Sequence, residues 1–270
     1  MRHEFFELAE APKNAPLDTR IGYAVAELAA QVGITDKKSV DAAIERELSR
    51  RIAASVFNSL TAEGITIAGA HLLDDGAGLG MLSVEAAARG AIPVAVEPGA
   101  ECCALAKERL HGTAGTTVVA SGEELPFADA SFDLVLSVQV LEHVQTPIAY
   151  LREAFRVLKP GGHLYLSCEN YLSFREPHYD VAWLPLLPKS LGAVYLRIRG
   201  RPTAFLKQSI TYTTGPWVSR MLRSCGFVSL REQRLTARFG SNALARTVIA
   251  LQNCRTLFKP GVYALVWKPL

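Results

Sequence analysis

Nowhere in this chain do two cysteines stand with two residues between them. The five cysteines are an odd count: Cys102 and Cys103 adjoin, and Cys168, Cys225 and Cys254 are scattered. Neither a zinc knuckle nor a disulfide framework is suggested, so no metal is expected and the thiols are expected to stay free in a reducing cytoplasm. Apolar runs are short as well. None reaches the roughly 18 residues of a membrane span, and the opening Met1-Arg2-His3-Glu4-Phe5-Phe6 lacks the basic-then-apolar order of a signal peptide. Internal repeats and low-complexity tracts are absent. Acids are scarce in the last hundred residues: residues 171–270 hold 15 Lys/Arg against 3 Asp/Glu, whereas residues 1–170 hold 14 against 23. That asymmetry suits an anionic partner for the C-terminal part, or two parts that neutralise each other across an interface.

What is present is enough apolar material for a large core, 49% of 270 residues, and one stretch around which the rest is organised. His71-Leu72-Leu73-Asp74-Asp75 is a short apolar run ending in two acids, and Gly76-Ala77-Gly78-Leu79-Gly80 follows. Met81 to Arg89 then reads as a helix. A strand, a glycine loop and a helix N-terminus expose bare main chain and outward N–H groups to a ligand. The spacing is not the G-x-G-x-x-G of dinucleotide sites, which disfavours a nicotinamide dehydrogenase and favours a nucleoside ligand without a pyrophosphate. Glu97 ends the next apolar run, 17 residues after Gly80. A carboxylate there can accept from both hydroxyls of a ribose, or act as an acid ahead of the helix that Pro98-Gly99 opens.

Strand and helix alternate from that point. Strands are expected at 72–75, 92–97, 116–120, 132–138 and 163–167, and helices at 79–89, 100–110 and 148–158, the last stopped by Lys159-Pro160-Gly161-Gly162. Strands that are apolar on both faces imply a buried, mostly parallel, doubly wound α/β sheet. Ahead of it, Ala24, Leu28 and Val32, then Val40, Ile44, Leu48, Ile52 and Val56 recur at helical steps, with Asp36 or Ser39 to cap the second helix. These helices either pack on the core or cover the ligand site. Residues 1–20 read as an arm. The alternation lapses from Glu169 to Tyr212, a stretch rich in aromatics and prolines, in which 191–201 reads as a basic amphipathic helix. A helix at 216–224, a strand near 227–235, a helix around 243–257 and a strand at 261–268 complete the expectation.

Further residues narrow the family. Glu123-Glu124-Leu125-Pro126-Phe127, Phe132-Asp133-Leu134-Val135, Leu141-Glu142-His143-Val144 and Leu158-Lys159-Pro160-Gly161-Gly162 follow the glycine loop and the strand-end acid in order. Over residues 70–170 the chain resembles a class I S-adenosylmethionine (SAM)-dependent methyltransferase of the type 11 kind. The resemblance implies a seven-stranded Rossmann-like sheet with an N-terminal helical extension (1–68), a SAM-binding domain (69–270) and an acceptor-side insertion (169–212). It implies SAM as cofactor, held by Asp74, Gly76, Gly78, Gly80 and Glu97. Ser121 stands where the family usually has an Asp on the adenine amino group. Gly122 and Glu123 stand where backbone N–H meets the adenine ring, and Gln139 falls on the methionine side. Asp75 fills a slot that is normally apolar. His143 is the first candidate for a base that deprotonates a hydroxyl acceptor, and His178 in the insertion is the second.

The expected function is methyl transfer, to an oxygen of a lipid-like, lipid-linked or saccharide acceptor; the alternative is a SAM-fold protein that binds without turnover. Arg197, Arg199 and Arg201, beside the apolar 183–188 run, fit an anionic membrane surface or a phosphate-bearing acceptor. The expected place is the cytoplasm, with the periphery of the membrane left open by the basic C-terminal part. Nucleic acid is disfavoured, since no base-reading motif accompanies the charge. The oligomeric state stays open.

Overall fold

The computed structural model describes residues 14–230, 233 and 257–270. The expected strand at 227–235 and the expected arm at 1–20 fall only partly within these residues. The expected helix around 243–257 lies almost wholly outside them, as does Cys254.

Three helices lead: α1 (Leu17–Gln31), α2 (Lys37–Leu48) and α3 (Arg51–Ala62). The side chain of Asp36 caps α2 by accepting from Ser39 N at 3.0 Å, so the acid, not the serine, is the cap. Arg50, with φ of +53°, separates α2 from α3, a break that the continuous helical period conceals.

The alternating part follows as β1 (His71–Asp75), α4 (Met81–Ala88), β2 (Ile92–Val96), α5 (Ala100–Arg109), β3 (Thr116–Val118), β4 (Phe132–Val138), α6 (Pro147–Val157) and β5 (Leu158–Glu169). The expected stop at Lys159–Gly162 ends α6, but these residues already belong to β5, which begins directly at Leu158. An insertion carries the hairpin β6 (Arg175–Glu176) and β7 (Val181–Ala182), then α7 (Lys189–Ile198) and α8 (Ala204–Gln208). The chain returns through α9 (Gly215–Ser224), β8 (Val228–Ser229) and β9 (Gly261–Trp267). Thr214 caps α9 by accepting from Trp217 N.

Among the described residues, seven strands form one sheet in the order β3-β2-β1-β4-β5-β9-β8. The first five are parallel and β9 is antiparallel to both its neighbours. The strand order reverses between β1 and β4, and in such sheets ligands lie beyond the carboxyl ends of the strands at that reversal.

Each layer has its own apolar cluster. On one face, Leu73, Val135, Leu164 and Leu166 pack on Tyr150, Leu151 and Val157 of α6 and Val218 and Leu222 of α9. On the other, Leu72, Leu134 and Leu136 meet Val56, Phe57 and Leu60 of α3 and Leu82 and Ala86 of α4. The N-terminal helices pack on the core at two places. α3 covers the sheet, while Ile21 and Ala24 of α1 rest on Leu79 of the glycine loop and Leu105 of α5. The insertion packs round Tyr171, Tyr179, Trp183, Leu196 and Leu206, with Val32 from beyond the end of α1 among them.

Candidate functional site

Four strand ends meet at one edge. The loop after β1 is held to the sheet by Gly76 N and Ala77 N, which both donate to the Val96 carbonyl at 2.9 Å. All three glycines have positive φ: +82° at Gly76, +53° at Gly78 and +82° at Gly80. A Cβ at Gly76 would meet Val140 Cγ2 at 2.4 Å, and one at Gly80 would meet Ala106 Cβ at 2.9 Å, but one at Gly78 would meet nothing within 4 Å. The outer glycines are forced by packing, and the middle one faces open space.

Glu97, just past β2, turns back onto this loop. Its Oε2 accepts from Gly78 N and its Oε1 from Gly99 N, each at 2.9 Å. Burial raises the pKa of Glu97 against the pull of those two N–H groups. Asp74 is buried beneath the loop and accepts from Ser83 Oγ at 2.6 Å. Burial raises its pKa to about 6, opposed by that hydroxyl. Asp75, on the opposite side of the strand, is buried under Gly122, where a Cβ would stand 2.3 Å from Asp75 Oδ1.

Past β3, Ser121 is exposed and its Oγ accepts from Glu123 N at 3.2 Å. The N–H of Glu123 is thus already occupied, and its carboxylate accepts from Thr146 N.

The fourth strand end brings a polar cluster. Gln139 has a positive φ of 58°. With its amide nitrogen turned inward, it donates to Glu169 Oε1 at 2.5 Å and Glu142 Oε1 at 3.1 Å. The His143 and His178 rings lie edge to face with centroids 5.2 Å apart. His143 Nδ1 lies 2.8 Å from the Ser209 carbonyl, which can only accept, so Nδ1 carries the proton. His178 Nδ1 lies 3.0 Å from Glu176 Oε1, a buried carboxylate that also accepts from Tyr179 N at 2.7 Å. Burial, with His178 alongside, lowers the pKa of His143 to about 4. For His178 burial pulls downward, but Glu176 outweighs it and the pKa ends raised. Burial raises Glu142, and raises Glu169 to about 7 against the pull of His178. His143 is therefore a weaker proton acceptor than the sequence led us to expect, and His178 a stronger one.

The candidates for holding the cofactor and activating the acceptor lie about these strand ends, whereas Arg197, Arg199 and Arg201 lie in and after α7 of the insertion. Asp74, the three glycines, Glu97 and the 121–123 turn stand on one side of the strand reversal, and Gln139, His143 and His178 on the other. The sequence reading missed Glu142, Glu169 and Glu176. Glu142 sits inside the quoted Leu-Glu-His-Val stretch and passed as a spacer. Glu169 ends a strand, the position that marked Glu97, and Glu176 stands two residues before His178.

A family model described as "Methyltransferase domain" matches residues 73–166. A demethylmenaquinone methyltransferase of Tropheryma whipplei is 32% identical over 192 residues, which is 68% of this chain and 76% of that protein. A ubiquinone biosynthesis O-methyltransferase of Xanthomonas oryzae pv. oryzae is 40% identical over 111 residues, covering 39% of this chain and 46% of that one. Among solved structures, an S-adenosylmethionine-dependent methyltransferase from Mesorhizobium loti superposes with a TM-score of 0.55 at 20% identity, covering 78% of this chain and 96% of that chain. At that identity the likeness speaks for the fold.

Proposed function

The chain belongs to the class I SAM-dependent methyltransferases, and from that premise we propose that it methylates an oxygen of a lipid-like, lipid-linked or saccharide acceptor. The observation that carries the cofactor half is the contrast among the three glycines: the one with room above it is the one whose N–H meets the Glu97 carboxylate. SAM would supply a methyl group already activated by its sulfonium. The chain's own residues bind, orient and exclude water. The glycine loop, steadied by Asp74, offers bare main chain. Glu97 is placed to exchange its backbone partners for ribose hydroxyls. Ser121 offers one uncharged hydrogen bond to the adenine amino group, and Gly122 N–H a donor to its ring. Gln139 bounds the methionine side. α1, resting on Leu79, and the insertion, tied to it by Arg201 donating to the Gly33 carbonyl, close the edge against water. Activation of the acceptor oxygen is assigned to the His143–His178 pair.

The ubiquinone biosynthesis O-methyltransferase among the relatives supports an oxygen acceptor, and the outer surface of the insertion supports a greasy one. α7 buries Gly192, Ala193 and Leu196 inward. Its outer face leaves Leu191 57%, Val194 51% and Ile198 79% exposed, and Leu184 nearby is 63% exposed. Residues 181–230 contain seven Lys/Arg and no Asp or Glu. An apolar face rimmed by unopposed positive charge fits the headgroup boundary of an anionic bilayer, so the protein would work at the membrane periphery; among the described residues no helix is long and apolar enough to cross a membrane. Sedimentation with phosphatidylglycerol vesicles should carry the protein down, and phosphatidylcholine vesicles should not. Leu191→Glu/Ile198→Glu should weaken vesicle binding at least roughly tenfold, since each buried aliphatic side chain contributes ~1.5–3 kcal/mol, while SAM binding is retained. Equal binding by the double variant would exclude this face.

Transfer of labelled methyl from SAM into a cell extract, separated into lipid, polysaccharide, protein, nucleic acid and small-molecule fractions, tests the acceptor. Label is expected in the lipid or polysaccharide fraction. Label confined to nucleic acid would overturn the assignment.

A further inference from the structure

We propose that Glu142, His143 and His178 bind one divalent cation, and that the acceptor hydroxyl reaches the methyl donor as a further ligand of it. Only the second half rests on the methyl-transfer reading; the site itself stands on geometry.

One donor atom from each of the three residues lies within 4.8 Å of the others. Bonds of about 2.0–2.2 Å to a shared ion require the donors to close to about 4 Å or less on binding. Each imidazole has its Nδ1 proton engaged, His143 by the Ser209 carbonyl at 2.8 Å and His178 by Glu176 at 3.0 Å. Nε2 is therefore the free lone pair on both rings. A ligating histidine commonly has its other nitrogen fixed by a carbonyl or carboxylate in this way, which sets the tautomer and raises the basicity of the ligand atom.

The third donor carries the independent sign. Glu142 is fully buried. Its Oε1 receives Glu169 N at 3.3 Å, but its Oε2 has no hydrogen-bond partner. A buried carboxylate oxygen without a partner is costly. Charge points the same way. Glu142, Glu169 and Glu176 crowd this cluster, and among the described residues no lysine or arginine forms an ion pair with any of them; His178 alone pairs, with Glu176. A cation held by the three residues would give the orphaned oxygen a partner and offset the acidic charge gathered there. Two imidazoles and one carboxylate suit zinc, manganese or ferrous iron better than the all-oxygen preference of magnesium.

Three protein ligands leave coordination positions open, as in catalytic rather than structural sites. An acceptor hydroxyl held there loses its proton to solvent more readily. The electron pair left on oxygen forms the O–CH3 bond, while the sulfur keeps the pair of the S–CH3 bond that breaks.

The test begins with the full chain stripped by chelator and titrated with Co2+, followed by visible absorption and by displacement with Zn2+. Saturable uptake of one equivalent is expected. Glu142→Gln and His178→Gln should each lower affinity by at least roughly tenfold, and Glu176→Gln, which only positions His178, by roughly 10- to 100-fold without changing stoichiometry. SAM titration of each variant reports an intact fold. No saturable uptake by the wild type, or uptake unchanged in Glu142→Gln and His178→Gln, overturns the site. Uptake without any label transfer leaves the site standing and sinks the methyl-transfer reading of the acceptor side. Label transfer at full rate in excess chelator sinks the role given to the cation.

Discussion

Gly78→Ala is expected to weaken SAM binding by roughly 100-fold or more while costing the fold only the strain of its backbone, and Gly76→Ala is expected to unfold the protein more readily. The two residues stand two apart in one loop, and both have positive φ, +53° and +82°. The backbone cost of a Cβ in that region is about 1–2 kcal/mol at either site. The difference lies in what the new methyl group meets. At Gly76 it meets both γ-carbons of Val140, at 2.4 and 2.8 Å. Val140 is held in the turn after β4, so overpacking adds about 1–3 kcal/mol. A total of roughly 2–5 kcal/mol is a large share of the stability of an ordinary domain. At Gly78 the methyl group meets no protein atom within 4 Å, so it can offend only a ligand. Urea denaturation should therefore show Gly78→Ala losing only the backbone cost of about 1–2 kcal/mol and Gly76→Ala losing distinctly more. Calorimetric titration with SAM should show a loss of roughly 100-fold or more, about 3 kcal/mol, in Gly78→Ala. Undiminished affinity in that variant would mean that the nucleoside does not lie on the open face of the loop.

The same pair shows where sequence reading reaches its limit. Three glycines at alternate positions look alike as letters, and the loop was recognised from them, but Val140 and Ala106, which make two of them obligatory, arrive from distant parts of the chain. The parallel core was legible for a local reason. The buried strands are apolar runs, and β1, β2 and β5 are each punctuated by an acid at or just past the carboxyl end. The N-terminal helices were legible as helices but not as three pieces, because Arg50 turns the chain in a left-handed conformation that no residue preference announces. The insertion was legible only as a lapse in the pattern. Its hairpin has two-residue strands, and its order comes from Tyr171, Tyr179 and Trp183 packing with Val32, contacts that no local period encodes. The acceptor-side cluster follows the same logic. His143 and His178 could be named singly, but the groups that set their tautomers, the Ser209 carbonyl and the Glu176 carboxylate, come from separate segments.

Asp75→Asn is expected to stabilise the protein at neutral and alkaline pH, by an amount that grows as pH rises. Asp75 is 1% exposed, and its Oδ2 has no hydrogen-bond partner. Burial raises its pKa to about 8, with Tyr150 opposing and Asp74 adding to the rise. In the unfolded chain the same carboxyl ionises near ~3.9. Below that pH both states hold the proton, and the group contributes nothing to the pH dependence. Between about 4 and about 8 the unfolded state has shed its proton and the folded state keeps it. Stability therefore falls as pH climbs, by up to about 1.4 kcal/mol per unit. Above about 8 both states are ionised and the penalty is constant. Asparagine has the shape of the neutral acid and cannot ionise, so the variant loses this slope, while Asp74, whose pKa is raised to about 6, titrates equally in both proteins and cancels. Urea denaturation at about pH 5 and about pH 8 should show the gap between variant and wild type widening by a few kcal/mol. Parallel stability curves would show that Asp75 is ionised in the folded protein and has found a partner. The acid that the family usually places at the exposed end of β3 is a serine here, Ser121. The acid that this chain adds lies buried against the next residue, Gly122, where a neutral carboxyl can pack without facing solvent and an ionised one cannot.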